Sequence, residues 1–249
     1  MSGDYKLIGL INDDGKGFYV NDIDARLLDE KEIPRARFDL DIEDAGYYNE
    51  SSEYMPIKID GVWRYLNMSG EFLDGSYEMA GSFYNHRAAV CKDKKWFIID
   101  DEGNKVDDLV FDDIKLDLYG SYIQSGIVLA KQNGKYHIYD EKLSQISDFE
   151  CDAIDICIDS NDIAFEKDGK WGYVDTKGKV VCDPSFSRAK SFSNGFAAVC
   201  DDSNCWGYIN SSFETVISYK YKDAFYFNSE NVSYVSETEN TYQLLSFLL

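Results

Sequence analysis

Histidine, cysteine and clustered carboxylates are the groups in this chain with the reactivity for catalysis or metal binding. There are two histidines, His86 and His137, and six cysteines, at positions 91, 151, 157, 182, 200 and 205. A histidine titrates near neutral pH and serves as acid, base or metal ligand. To activate a nucleophile it needs a Ser or Cys beside it and an acid behind it, and the residues around His86 and His137 carry no such signature. Zinc spacing is missing as well: Cys151 and Cys157 are six residues apart with no second ligand pair. The scatter of cysteines without a C-x-x-C suits reduced, core-filling thiols in a cytosolic protein. Cys200 and Cys205 flank a turn and could face each other. Acidic runs occur at Asp13-Asp14, Asp41 to Asp44, Asp107-Asp108, Asp112-Asp113 and Asp201-Asp202. The run closest to a calcium loop, Asp100-Asp101-Glu102-Gly103-Asn104, lacks the alternating oxygens such a loop needs and reads as a solvated turn. Gly15-Lys16-Gly17 lacks the glycine spacing and the Lys-Ser/Thr end of a phosphate loop. These residues predict no catalytic residue, no metal and no cofactor, and hence a protein that is not an enzyme.

Charge narrows the partners. With 25 basic and 46 acidic residues the net charge is −21. Such a surface repels nucleic-acid phosphates and anionic lipid headgroups, so a charged partner is expected to be a basic protein. No apolar run approaches the roughly 20 residues that cross a bilayer. The start, Met1-Ser2-Gly3-Asp4-Tyr5, is not followed by a basic region and an apolar core, which predicts a cytoplasmic protein. A composition that is 44% hydrophobic and 15% aromatic excludes a disordered chain.

The elements that must carry these residues form a repeat. Trp171-Gly172-Tyr173-Val174-Asp175 has counterparts at Trp63–Asn67, Trp96–Asp100, Tyr136–Asp140 and Trp206–Asn210, with fainter copies at Gly17–Asn21 and Tyr242–Ser246. From position 17 the steps between copies are 46, 33, 40, 35, 35 and 36 residues. A near-constant period of this size marks a repeat architecture, and the long first step predicts an insertion near 41–54. Alternation with β-branched and aromatic residues predicts three strands per unit, for example Phe196–Cys200, Trp206–Asn210 and Glu214–Ser218. The first turn carries Asp14-Gly15, Asp60-Gly61, Asn133-Gly134 or Asp168-Gly169, pairs that accept positive φ at both central positions of a two-residue hairpin. The second turn reads Asp/Asn-x-x-Gly at Asn67, Asp100 and Asp175, where the side-chain oxygen accepts a backbone N–H and glycine takes the left-handed position. Leu143 and Phe213 replace that glycine in two units, so those turns must differ or be strained. In a strand Trp171 and Tyr173 share one face, as do Trp206 and Tyr208, while Gly172 and Gly207 lie on the other and admit a close neighbour. The shared face is expected to be buried between stacked units.

Residues 163–217 resemble the bacterial WG-repeat family. Its units read roughly Gly-Leu-Ala-x-Val, then Gly-Lys-Trp-Gly-Tyr-Ile-Asp, then a Val-Ile-Pro-like strand and a Tyr-Asp-x-Ala connector. Residues 166–210 match closely and the remainder in outline, with Trp-Gly intact at 171–172 and 206–207. The resemblance implies a β-repeat array with interaction roles, and implies no catalytic residue and no fixed substrate.

The fold expected over residues 1–249 is a single all-β domain of about six three-stranded units plus a terminal hairpin. It is propeller-like, with an open solenoid or superhelical array as the alternative. The function expected is a non-enzymatic, monomeric protein-binding module, with neutralisation of a basic toxin in the manner of an immunity protein as its sharper form. A carbohydrate- or peptide-binding repeat using exposed aromatics is the alternative. The contact residues expected are Tyr47, Tyr48 and Tyr54, because aromatics in an insertion are poorly placed to fill a repeat core.

Overall fold

In a computed structural model of the chain, the structure describes residues 6–7, 17–20, 25–28, 34–38, 42–48, 52–67, 70–158, 162–238 and 241–246. Every regular element among them is a β-strand. The turn expected at Asp14-Gly15, the Asp13-Asp14 run and Gly15-Lys16 lie outside the described residues. The chain divides into two compact units, Met1–Tyr122 and Ile123–Leu249.

The first compact unit opens with a four-stranded antiparallel sheet of Lys6–Leu7, Gly17–Val20, Ala25–Leu28 and Pro34–Phe38. Two sheets follow, Asp44–Ala45 with Tyr54–Ile59 and Val62–Asn67, then Met79–Ala80 with Arg87–Lys92 and Lys95–Asp100. The second compact unit contains Ile123–Gln124 with Ile127–Gln132 and Lys135–Asp140. It then has two complete four-stranded sheets, Ala153–Ile154, Asp162–Lys167, Lys170–Asp175, Val180–Phe186 and Arg188–Ala189, Phe196–Cys200, Trp206–Asn210, Thr215–Tyr221. Asp223–Ala224, Val232–Thr238 and Thr241–Ser246 form the last sheet.

Two differences from the sequence expectation stand out. Each connector adds a two-residue strand to the sheet that follows it, so a complete unit has four strands rather than three. The excess length expected as an insertion at 41–54 is distributed differently. Asp44–Ala45 is the ordinary connector strand, paired with Lys58 and Ile57, and Tyr54–Ile59 is the first strand of its own hairpin. The first sheet instead holds an additional strand, Pro34–Phe38, paired with Ala25–Leu28.

The turn chemistry works as the sequence implies. Asp60 and Gly61, Asn133 and Gly134, and Asp168 and Gly169 all have positive φ, the conformation whose twist matches that of the flanking strands. At the second turn Asp175 Oδ1 accepts the N–H groups of Lys177 and Lys179, both at 2.9 Å. Asp140 does the same for Lys142 and Ser144, and Asn210 for Ser212 and Glu214. Leu143 and Phe213 keep this geometry rather than replacing it, with φ of 63° and 61°. A left-handed non-glycine residue costs about 1–3 kcal/mol, and packing offsets it here. Leu143 is buried, and the Phe213 ring lies 5.6 Å from Tyr173 and 5.7 Å from Phe192.

The motif tyrosines sit at the centre of the inter-repeat packing. Tyr65, Tyr173 and Tyr208 are fully buried. Each packs edge-on or tilted against a phenylalanine of the next connector, Phe83 at 4.8 Å, Phe192 at 5.0 Å and Phe227 at 4.9 Å. A buried phenol needs a partner for its O–H. Each hydroxyl donates to a carbonyl of that same connector, Gly81 at 2.7 Å, Lys190 at 3.1 Å and Phe225 at 3.0 Å. Burial raises the pKa of all three phenols, that of Tyr208 to about 12.

The motif glycines make room for a bulged third strand. Trp171 pairs with Phe186 but Tyr173 with Cys182, and Trp206 pairs with Tyr221 but Tyr208 with Ile217. The third strand therefore bulges over the glycine in both units. A Cβ on Gly172 would stand 2.4 Å from the Cys182 carbonyl oxygen, and one on Gly207 2.5 Å from that of Ile217. Phe18 occupies this position in the first unit, where Ala25–Leu28 pairs with Gly17–Val20 in continuous register; Arg64, Phe97 and His137 occupy it in three others. There the third segment is reduced to isolated bridges, Trp63 to Tyr77 and Leu66 to Phe72, Trp96 to Phe111 and Ile99 to Lys105, Tyr136 to Cys151 and Tyr139 to Gln145. A side chain takes the volume that the bulged backbone needs.

Candidate interaction surface

Tyr47 and Tyr48 follow the connector strand Asp44–Ala45. Gly46 donates its N–H to the Pro56 carbonyl at 2.8 Å, and a Cβ there would meet Pro56 Cγ at 2.7 Å, so only glycine lets the chain leave the sheet at this point. Tyr47 then donates its backbone N–H to Ser82 Oγ at 3.0 Å. Its ring meets Tyr119 edge-on, with centroids 5.5 Å apart and planes at 74°. Tyr48 is half-buried.

Tyr119 is held by a turn of the kind found within the repeats. Asp117 Oδ1 accepts the N–H groups of Tyr119 and Ser121, both at 2.8 Å, and the Gly120 N–H reaches the Asp117 carbonyl at 3.1 Å. Gly120 has φ of +79°. Burial pushes the Asp117 carboxyl up, against these backbone donors, which pull it down. The turn is tied to the Ser82 segment by the Ser82 N–H to the Gly120 carbonyl at 2.8 Å. Its two tip residues project outward, Leu118 being 59% exposed and Tyr119 55%. The result is an aromatic and aliphatic patch on backbone-braced loops of the first compact unit.

Tyr54 is elsewhere. It opens the strand Tyr54–Ile59, is half-buried, and packs against the cluster containing Tyr65, Phe83 and Val90, its ring 6.3 Å from Phe83. Two of the three expected contact residues thus share one segment, and the third lines the core. Leu118 and Tyr119 complete the patch. Their signal in the sequence is Asp117-Leu118-Tyr119-Gly120, the Asp-x-x-Gly spacing with large apolar residues at its tip.

The reactive side chains sit in ordinary structural surroundings. His86 Nδ1 is 2.5 Å from the Asp101 carboxylate on a ring 73% exposed. His137 Nδ1 lies 3.2 Å from the Phe149 carbonyl and 3.4 Å from the Gln145 amide. All six cysteines, Cys200 and Cys205 included, are free thiols. Burial pushes the Cys151 thiol up to about 12 and raises Cys91, Cys182 and Cys200 as well, which is the reverse of what activates a thiolate. Among the described residues no group of three or more His, Cys, Asp or Glu is placed to hold a metal.

Lysines preceding the motif pair with acids of the connector or hairpin that follows, Lys95 with Asp112 at 2.6 Å, Lys170 with Asp202 at 2.5 Å, and Lys135 with Asp152. These are exposed pairs, and such pairs contribute about 0–1 kcal/mol each.

The WG containing repeat matches residues 63–96, 171–205 and 206–241. The first of these segments carries Arg64 where the other two carry glycine. No curated protein matches the sequence. Solved structures do resemble it in fold. BamB from Moraxella catarrhalis superposes with a TM-score of 0.55 at 10% identity, over 96% of this chain and 84% of that one. Kluyveromyces lactis Hsv2 gives 0.50 at 8% identity over 97% and 98%, and KlHsv2 with loop 6CD replaced by a Gly-Ser linker gives 0.51 at 10% over 93% and 89%. At such identities the likeness is one of fold, and the fold is all-β and propeller-like.

Proposed function

We propose that this chain, three of whose units are WG containing repeats, is a non-enzymatic protein-binding module. The observation that carries the reading is the patch of Leu118 and Tyr119, exposed on a hydrogen-bonded turn, with the half-buried Tyr47 braced against Tyr119. Rigid aromatic anchors of this kind dominate binding energy at protein interfaces. The net charge of −21 favours a basic partner, drawn in by long-range attraction and then seated on the patch. The sharper form is neutralisation of a basic toxin by an immunity-type protein acting as a monomer in the cytoplasm. The test is capture of basic proteins from the native host by the parent chain and by Tyr47→Ala/Tyr119→Ala. The parent should retain a defined partner at low salt and release it as salt rises, and the double variant should lose it by about tenfold or more. Equal retention by both chains would refute the patch. Retention insensitive to salt would refute the charge argument.

A second reading uses the same aromatics for a sugar or peptide ligand. Tyr119 is exposed and braced edge-on by Tyr47, an arrangement on which a flat ligand face can stack. Glycan-array and peptide titrations followed by tyrosine fluorescence separate it from the first.

A further inference from the structure

We propose that the cavity beside Phe97 is a binding site for a small organic monoanion with a planar apolar body. The inference is independent of the protein-binding reading, since it uses other residues and another ligand class. It begins from the side chain at the motif glycine position. Phe97 stands there, and the third segment of its unit pairs only near its ends, at Lys105 and at Phe111. Where a bulged strand covers Gly172 and Gly207, this unit has a cavity of about 560 Å³ lined by Tyr77, Phe97, Val110, Lys92 and Lys105 among others. That volume lies within the range of about 300–1,000 Å³ typical of small-molecule sites.

The walls supply two kinds of contact. Phe97 and Tyr77 present a corner of aromatic surface, their rings 6.5 Å apart at 67°. The Lys105 ammonium lies 4.3 Å from the Phe97 ring centre, a position in which the ring stabilises the cation without neutralising it. In a chain with 46 acidic and 25 basic residues the balance at this cavity is reversed, with Lys92, Lys95 and Lys105 against Asp74 and Asp93. Lys95 is committed to Asp112. Among the described residues Lys92 and Lys105 have no carboxylate partner within ion-pair distance. An anionic group held by these two ammoniums would form charge-assisted hydrogen bonds, with its apolar body against Phe97 and Tyr77. The two aspartates on the same wall select a single negative charge over a dianion, because a second charge would meet like charge.

The probe is 1-anilinonaphthalene-8-sulfonate, an aromatic monoanion whose fluorescence reports binding. It is titrated into the full chain, into Lys92→Ala/Lys105→Ala, and into Lys142→Ala/Lys177→Ala as a control in the other compact unit. All four lysines are exposed, so both double variants are expected to fold, checked by unchanged thermal melting. The neutral analogue N-phenyl-1-naphthylamine is titrated in parallel. The expected result is saturable binding by the parent and the control, weakened about tenfold or more in Lys92→Ala/Lys105→Ala, with the neutral analogue bound equally weakly by all three. Equal affinity for the sulfonate in both double variants would overturn the proposal. So would absence of saturable binding by the parent, or a neutral analogue bound as tightly as the anion.

Discussion

Replacing Gly207 with alanine tests whether the motif glycine exists to admit the third strand. The new Cβ would stand 2.5 Å from the Ile217 carbonyl oxygen and 3.1 Å from Ser218 C and Tyr219 N. All three are backbone atoms of a paired strand, so none can swing aside as a side chain would. Overpacking of this kind costs about 1–3 kcal/mol. Alanine also lowers the entropy of the unfolded chain, which returns about 0.4–1 kcal/mol. The net expectation is a loss of about 1–2 kcal/mol, or roughly 2–8 °C in melting temperature for a chain of this size. The distinguishing readout is local. Gly207→Ala should bring its unit toward the state of the units with Arg64, Phe97 and His137, whose third segments pair only through isolated bridges. Hydrogen–deuterium exchange followed by mass spectrometry should therefore quicken across Thr215–Tyr221 and stay unchanged across Arg87–Asp100. A variant that melts at or above the parent temperature, with Thr215–Tyr221 equally protected, would refute the reasoning.

Two further substitutions probe opposed terms. Phe213→Gly relieves a left-handed residue at φ of 61° but removes the ring from Tyr173 and Phe192. For a half-buried ring the lost packing outweighs the relieved strain, and destabilisation of about 1–2 kcal/mol by chemical denaturation is expected; a stabilised variant would show that the ring is not a plug. Asp162 lies directly across the sheet from Asp175, and its carboxyl is raised first by burial and then by the Asp175 charge. A raised carboxyl penalises the folded state above its folded pKa, and the penalty disappears below the unfolded value, where both states are protonated. Asp162→Asn should therefore stabilise the chain by about 0.2–1 kcal/mol at pH 7, with the gain fading as the pH falls through the carboxylate range. A gain independent of pH would assign it to something other than charge.

What the sequence makes legible is what each unit can state locally. Asp168-Gly169 specifies a hairpin, Asp175 and Gly178 specify the turn after it, and Trp171 with Tyr173 specify a face, because each depends on residues a few positions apart. Even the close approach to Gly172 and Gly207 follows from period two, although the identity of the visitor, the bulged third strand, needs the structure. The connector strands are illegible for a plain reason: Ala153–Ile154 and Arg188–Ala189 are two residues long, too short to show alternation. Tyr54, expected in an insertion, instead opens the first strand of its own hairpin, because the spacing between copies reveals that length is added somewhere after residue 17 but not where, and the additional strand Pro34–Phe38 absorbs it before the tyrosines are reached.

The departures from the repeat carry the functional argument. A glycine at the motif position, as at Gly172 and Gly207, leaves the space above it to a bulged backbone, and the unit is a four-stranded sheet. Arg64, Phe97 and His137 displace that backbone. The freed volume is then held by a side chain of the unit's own choosing, an Arg64 guanidinium 4.0 Å over Phe72 in one, a His137 ring against the Phe149 carbonyl in another, and at Phe97 a cavity. The tyrosine one residue later, or Ile98 and Ile138 in its place, stays buried in every one of these units, so the packing between units is preserved while the surface beside it changes. Stability is thus carried by one face of the second strand and variation by the other. A repeat protein that must acquire a new ligand has its route there, at the position where glycine is lost.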